Sequence, residues 1–172
     1  MNIVIMSFIW MSTSFNFYLI NFQLKYFPGN IYVNSVVFST CSIVAYVVSN
    51  PLYKFMGLKI SFILSFLISS IGGFLIVLWG LNTDVAWVFP CLVLLASFGT
   101  ANMFNLLYCT HSHIFPTAFA AGAMGICNFT ARIMTIFSPM VAEIEGSIPM
   151  WTFTVLSVVS LVLTLFIQVD KH

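Results

Sequence analysis

Six apolar stretches of about 20 residues each follow one another along the chain, joined by connections of only a few residues. That pattern leaves little choice of fold. Each stretch is long enough to cross the hydrocarbon core of a bilayer, and the joints are too short to hold a soluble domain between spans. Charged residues make up 5% of the 172 residues and the mean hydropathy is +1.09, whereas an ordinary soluble domain carries roughly a quarter charged residues. A membrane β-barrel requires strands of about 10 residues alternating apolar with polar, and these runs are longer and apolar on nearly every side. The sequence therefore predicts an all-α polytopic membrane protein.

Hydropathy and breaker residues place the spans at 3–22, 31–52, 60–80, 85–110, 118–142 and 148–168, within a single domain covering 1–172. The joints hold Lys25, Pro28 and Gly29, then Lys54, Gly57 and Lys59, then Asn82 and Asp84, then Pro116, then Glu143, Glu145, Gly146 and Pro149. Such short joints make neighbouring spans antiparallel and give an up-down bundle. Lys54, Lys59 and Lys171 fall on one side and Lys25 on the other, which assigns both termini to the cytoplasm. Met1 leads straight into an apolar stretch with no basic flank and no small-residue cleavage site, so it is expected to be the mature N-terminus of a retained first span.

Composition and motifs also narrow function. A formal net charge of +1 offers no basic field for phosphates, which excludes nucleic acid as a partner. The chain has no G-x-S-x-G, no H-E-x-x-H and no G-x-x-x-x-G-K, so neither an enzyme nor an ATP-driven machine is expected. Cys41, Cys91, Cys109 and Cys127 show no metal-ligand spacing and read as small packing residues. His111 and His113 supply at most two local ligands with no carboxylate or thiol beside them, so no metal and no cofactor is expected. Asn128-Phe129-Thr130 matches a glycosylation pattern, but in the middle of a span.

Arg132 is the one ionisable side chain near the centre of a predicted span. A central Arg opposes insertion by about 2.5–3.5 kcal/mol on translocon scales, so it should face a protein interior or a wet cavity. The alternative is an Arg that snorkels or caps a neighbouring carbonyl. Asn128 one turn earlier and Thr135 one turn later extend a polar stripe along the same side. Pro139 should kink or unwind the same span. Gly72-Gly73 in the third span and Gly122 with Gly125 in the fifth are expected at close helix contacts. The first span is polar and aromatic, with Ser12, Thr13, Ser14, Asn16 and Tyr18 among Trp10, Phe15 and Phe17, so part of it should face other helices or a cavity.

Four stretches together resemble the C-terminal six-helix half of an organic cation, anion and zwitterion transporter of the major facilitator superfamily. Ser14-Phe15-Asn16-Phe17-Tyr18 is similar to the aromatic motif of that family's seventh helix, and Ile31-Tyr32-Val33-Asn34 with Ile43-Val44-Ala45-Tyr46 to its eighth. Ile114-Phe115-Pro116-Thr117, Gly125-Ile126-Cys127-Asn128, Ala131-Arg132-Ile133 and Ser138-Pro139 follow the family's tenth-to-eleventh helix signature in order and spacing. The resemblance implies one half of a two-half fold, with the first, second, fourth and fifth spans lining a substrate path and the third and sixth outside. It carries over Phe17, Tyr18, Tyr46, Phe104, Asn128 and Arg132 as substrate-binding residues. An Arg at the position of Arg132 implies an anionic or zwitterionic substrate.

The chain departs from the family in its charged loop, which here reads Lys54-Phe55-Met56-Gly57-Leu58-Lys59 and keeps only the glycine and one basic residue. His113, Ala120 and Ser97 stand where the family carries Glu, Arg and commonly Lys. Met134 and Thr135 replace two glycines. The implied partners are the lipid bilayer, a small organic ion and a second six-helix half, which could come from a missing N-terminal half, a separate chain or a homodimer. Two functions follow as expectations: secondary transport by alternating access in the plasma membrane or an organelle membrane, or a degenerate half serving as a structural or regulatory subunit.

Overall fold

The computed structural model describes residues 2–27, 30–80, 88–114 and 117–167, and the side chains of residues 2, 80, 111–114 and 117 are not among those described. Seven α-helices lie in them: α1 (Asn2–Gln23), α2 (Ile31–Met56), α3 (Leu58–Leu75), α4 (Val88–Ile114), α5 (Thr117–Thr135), α6 (Ser138–Ala142) and α7 (Ile148–Leu165). The α3 helix continues into a π-helical turn, Ile76–Gly80. Taken with that turn, and with α5 and α6 as one broken span, they form six helices long and apolar enough to cross a membrane. No strand occurs among the described residues. This is a multi-pass helical membrane bundle.

Local chemistry explains the breaks. Asn30 caps α2 by accepting from the Tyr32 backbone N–H at 2.9 Å. The helix runs past the expected Leu52, carrying Pro51 inside it, to Met56. The chain turns at Gly57, whose φ of +76° is open to glycine but strained for other residues. At the other break, Ile136 and Phe137 bond back only three residues, to Ile133 and Met134, and Pro139 opens α6 where its missing N–H costs nothing. The Ser138 hydroxyl donates to the Phe15 carbonyl at 3.2 Å and fastens this break to α1. Pro139 thus marks a full interruption, with α5 ending at Thr135.

Packing sets a clear order. The α1 helix contacts α4, α5, α6 and α7, while α2 packs mainly on α4, and α3 on α4 and α7. The sequence of neighbours α5, α1, α4, α2 therefore forms one wall, with α7 and α3 behind α1 and α4. Trp10, Phe62, Met103 and Phe153 are fully buried between the two layers. Two polar residues of α1 face the rear layer: Ser12 bonds Ser160, and Asn16 donates to the Phe153 carbonyl at 3.2 Å and the Ser157 hydroxyl at 2.9 Å. In hydrocarbon such groups must be satisfied inside the protein.

Three glycines allow the seams to close. A Cβ on Gly72 would lie 2.5 Å from the Ala96 nitrogen, one on Gly73 2.6 Å from the Phe153 ring, and one on Gly99 2.6 Å from Ser65 O. The expectation for the fifth span is corrected here, because Gly122 and Gly125 have nothing within 4 Å of the same position. They lie on the outer side of α5. The packing role assigned to every cysteine also needs correction, since Cys41 and Cys127 are buried and Cys91 is exposed.

At one end of the bundle Lys25 pairs with Glu143 at 3.6 Å. At the other, the Lys59 ammonium donates to the Leu165 carbonyl at 2.6 Å, placing a cation on the carbonyl end of α7. Pro28, Gly29, Asn82, Asp84, Pro116 and Lys171 lie outside the described residues, as do the side chains of His111 and His113.

Candidate functional site

The wall formed by α5, α1, α4 and α2 carries an aromatic cluster joined to a guanidinium. On α1, Phe17 and Tyr18 are adjacent, with ring centroids 5.7 Å apart and planes at 87°. Adjacent helical residues point about 100° apart, so the pair addresses two neighbours at once. Phe17 reaches Phe104 of α4 at 5.4 Å and Phe38 of α2 at 5.6 Å. Tyr18 turns towards α5, where the Arg132 Nη1 donates to its hydroxyl at 3.1 Å. Four of the six residues singled out in the sequence, Phe17, Tyr18, Phe104 and Arg132, thus join in one continuous arrangement.

The other two lie at its edges, Tyr46 within electrostatic reach of Tyr108 on α4. Asn128 is half-buried one turn before Arg132, on the same side of α5. Tyr46 is exposed on α2, and its backbone carbonyl accepts from Asn105 of α4 at 3.4 Å. Asn105 also donates to the Ser49 hydroxyl, which ties α2 to α4. Thr135, half-buried, bonds back through its hydroxyl to the Ala131 carbonyl at 2.8 Å.

Sequence reasoning missed Tyr108 and Phe38 as members of the cluster. Tyr108 lies one turn beyond Phe104 and packs on it at 5.7 Å, and it meets Trp10 edge to face at 4.8 Å. The i, i+4 spacing of Phe104 and Tyr108, and the i, i+7 spacing of Trp10 and Phe17, are the signals that could have grouped them. Phe38 left no such trace among nineteen phenylalanines.

Arg132 lies on the exposed side of α5, with Tyr18 as a hydrogen-bond partner. Ile126, Phe129 and Ile133 are also exposed on that helix. A guanidinium carries five donors, so its bond to Tyr18 leaves capacity for a carboxylate, which it can grip in a bidentate fork. The surrounding rings offer flat apolar area for the body of an organic molecule. No group of three or more His, Cys, Asp or Glu residues able to hold a metal occurs among the described residues.

The chain is similar to known proteins over most of its length. The chain is 27% identical over 88% of its length to solute carrier family 22 member 6-B of Xenopus laevis. It is 30% identical over 84% of its length to solute carrier family 22 member 6 of Pseudopleuronectes americanus. It is 22% identical over 95% of its length to organic cation/carnitine transporter 2 of Mus musculus. Its homologues are solute carrier family 22 transporters. The chain spans 28%, 25% and 30% of those three relatives, so each is several times longer than the bundle. No family model matches the chain. Six apolar helices and relatives of the solute carrier family 22 type are together consistent with a half-bundle of the major facilitator superfamily.

Proposed function

We propose that this chain is the C-terminal half of an organic ion transporter, and that the face built on α1, α2, α4 and α5 lines its substrate path. The substrate we assign is an organic anion or zwitterion bearing a carboxylate. The observation that supports this most directly is Arg132, linked to Tyr18 beside the Phe17 and Phe104 rings. Arg132 would pair with the carboxylate while Phe17, Tyr18, Tyr46, Phe104 and Asn128 bound the organic body. The relatives supply organic ions as the general substrate class, and alternating access between two six-helix halves is the mechanism assigned here.

Rocking needs two bodies, so the 172-residue chain reconstituted in liposomes is expected to show no saturable uptake of carnitine, a dicarboxylate or tetraethylammonium. Fused in frame behind the N-terminal six helices of the Pseudopleuronectes relative, it is expected to take up carnitine or the dicarboxylate and to exclude tetraethylammonium. Saturable uptake by a demonstrated monomer of the chain alone would overturn the half-transporter reading. Preference of the fusion for tetraethylammonium would overturn the assignment of charge.

One observation favours a second reading, in which the half serves as a non-transporting subunit. Lys59, the one basic residue kept from the family's loop, donates to the Leu165 carbonyl of α7 in its own bundle. Lys54, exposed in the last turn of α2, is also basic where the family carries Asp, so the family's charged latch is not reproduced. A fusion that folds and reaches the surface but moves none of the three probes would support this reading.

A further inference from the structure

Behind the aromatic wall, where α1 meets α3, α4 and α7, lies a cavity of about 10 Å³ lined by Thr13, Asn16, Ser69, Thr100, Met103 and Ser157. A space of roughly this size admits one water molecule. Two of its lining atoms, Thr13 Oγ1 and Asn16 Oδ1, are buried with no hydrogen-bond partner, on residues that are each 2% exposed. Buried polar atoms in native proteins are normally paired. We infer that this cavity is a binding site for a single structural water, which links α1 to the rear layer of the bundle.

The hydrogen-bond directions specify the occupant. The Asn16 amide nitrogen is already engaged with the Phe153 carbonyl and the Ser157 hydroxyl, so its oxygen faces the cavity as an acceptor and requires a donor. Turning the amide over would set that oxygen against the Phe153 carbonyl, acceptor against acceptor. Thr100 donates to the Ala96 carbonyl of its own helix, which leaves Ser69 as the donor in the 3.0 Å contact between the two hydroxyls. The Ser69 oxygen is then free to accept. Thr13 differs from Thr100, Thr154 and Thr164, whose hydroxyls each bond back one turn, and so it keeps its proton to give.

A water meets all three demands. It donates to Asn16 Oδ1 and Ser69 Oγ and accepts from Thr13. A bare cation would satisfy the Asn16 oxygen as well, but no carboxylate lines the cavity to offset its charge among Phe66 and Met103. The site is separate from Arg132, and its test does not depend on transport.

Met103 touches the cavity and Met6 does not, yet both are fully buried, so the two thioethers form an internal comparison. X-ray radiolysis of the purified chain in nanodiscs turns a bound water into hydroxyl radical beside the sulfur it adjoins. Met103 is expected to oxidise at least about threefold faster than Met6, read by peptide mass spectrometry. In Thr13→Val, which keeps the side-chain shape and removes one partner, the ratio is expected to fall by about half or more. Equal rates for the two methionines in the wild-type chain would overturn the site, as would a ratio unaffected by Thr13→Val. A ratio that collapses when sodium chloride replaces choline chloride would show a cation in the cavity and overturn the assignment of water.

Discussion

Arg132→Asp, placed in an assembled two-half transporter, is expected to abolish uptake of a carboxylate substrate. The guanidinium sits between the aromatic cluster and the exposed side of α5, held at 3.1 Å by the Tyr18 hydroxyl. Hydrogen bonds to a charged partner contribute about 1.5–3 kcal/mol, more where water is excluded. Losing them in Arg132→Gln should therefore cost roughly 10- to 100-fold in uptake efficiency. Asp goes further, because it adds like-charge repulsion where attraction is needed. Lys keeps the charge but not the planar fork, so Arg132→Lys should fall between wild type and Gln. Tyr18→Phe should have a smaller effect, since it frees the guanidinium without removing it. The competing account makes Arg132 a strut between α5 and α1. In that case all three Arg132 substitutions would reduce protein yield, and uptake normalised to surface protein would be unchanged.

The extent to which this site could be read from sequence depends on what each residue's chemistry demands. Arg132 stands out in the sequence because a charge in a membrane span is costly. Phe17 and Tyr18 are singled out by the motif resemblance and not by their own properties, since aromatic side chains are common along the whole chain. Tyr108 and Phe38 were not legible, because which of many apolar rings meet depends on how α1, α2 and α4 pack, and hydropathy is silent on that. The same limit explains the glycines. Gly72-Gly73 and Gly122 with Gly125 look alike as small residues in apolar runs, yet the first pair lies in the seams with α4 and α7 and the second faces outward. Pro139 gave a correct warning of interruption because its missing donor acts locally. Pro51 did not end its helix, so local cost alone does not decide a boundary.

Gly99→Val is expected to be strongly damaging although it leaves every polar group in place. Here α3 and α4 approach so closely that a Cβ would lie 2.6 Å from both Ser65 O and Ser69 N, and 2.8 Å from the Ser69 Cβ. Two of those atoms are backbone, which cannot turn aside as a side chain can. Relief requires α3 and α4 to separate, and separation strains the bonds that link them, Ser69 to Thr100 at 3.0 Å and Asn102 to Ser65. Without a hydrophobic effect between spans in lipid, such close packing and hydrogen bonding are what hold the helices together. Overpacking of this kind costs about 1–3 kcal/mol and occasionally more. For a chain of this size that corresponds to a fall in Tm of roughly 2–12 °C, together with a large loss of monodisperse protein after extraction. Gly125→Val, with nothing within 4 Å of the added carbon, is the matched control and should unfold near the wild-type temperature. Fluorescence-detected size exclusion after a heating series measures both variants in one experiment. If Gly99→Val and Gly125→Val melt together, the α3–α4 seam is loose enough to absorb a side chain, and close packing is not what holds the two layers in place.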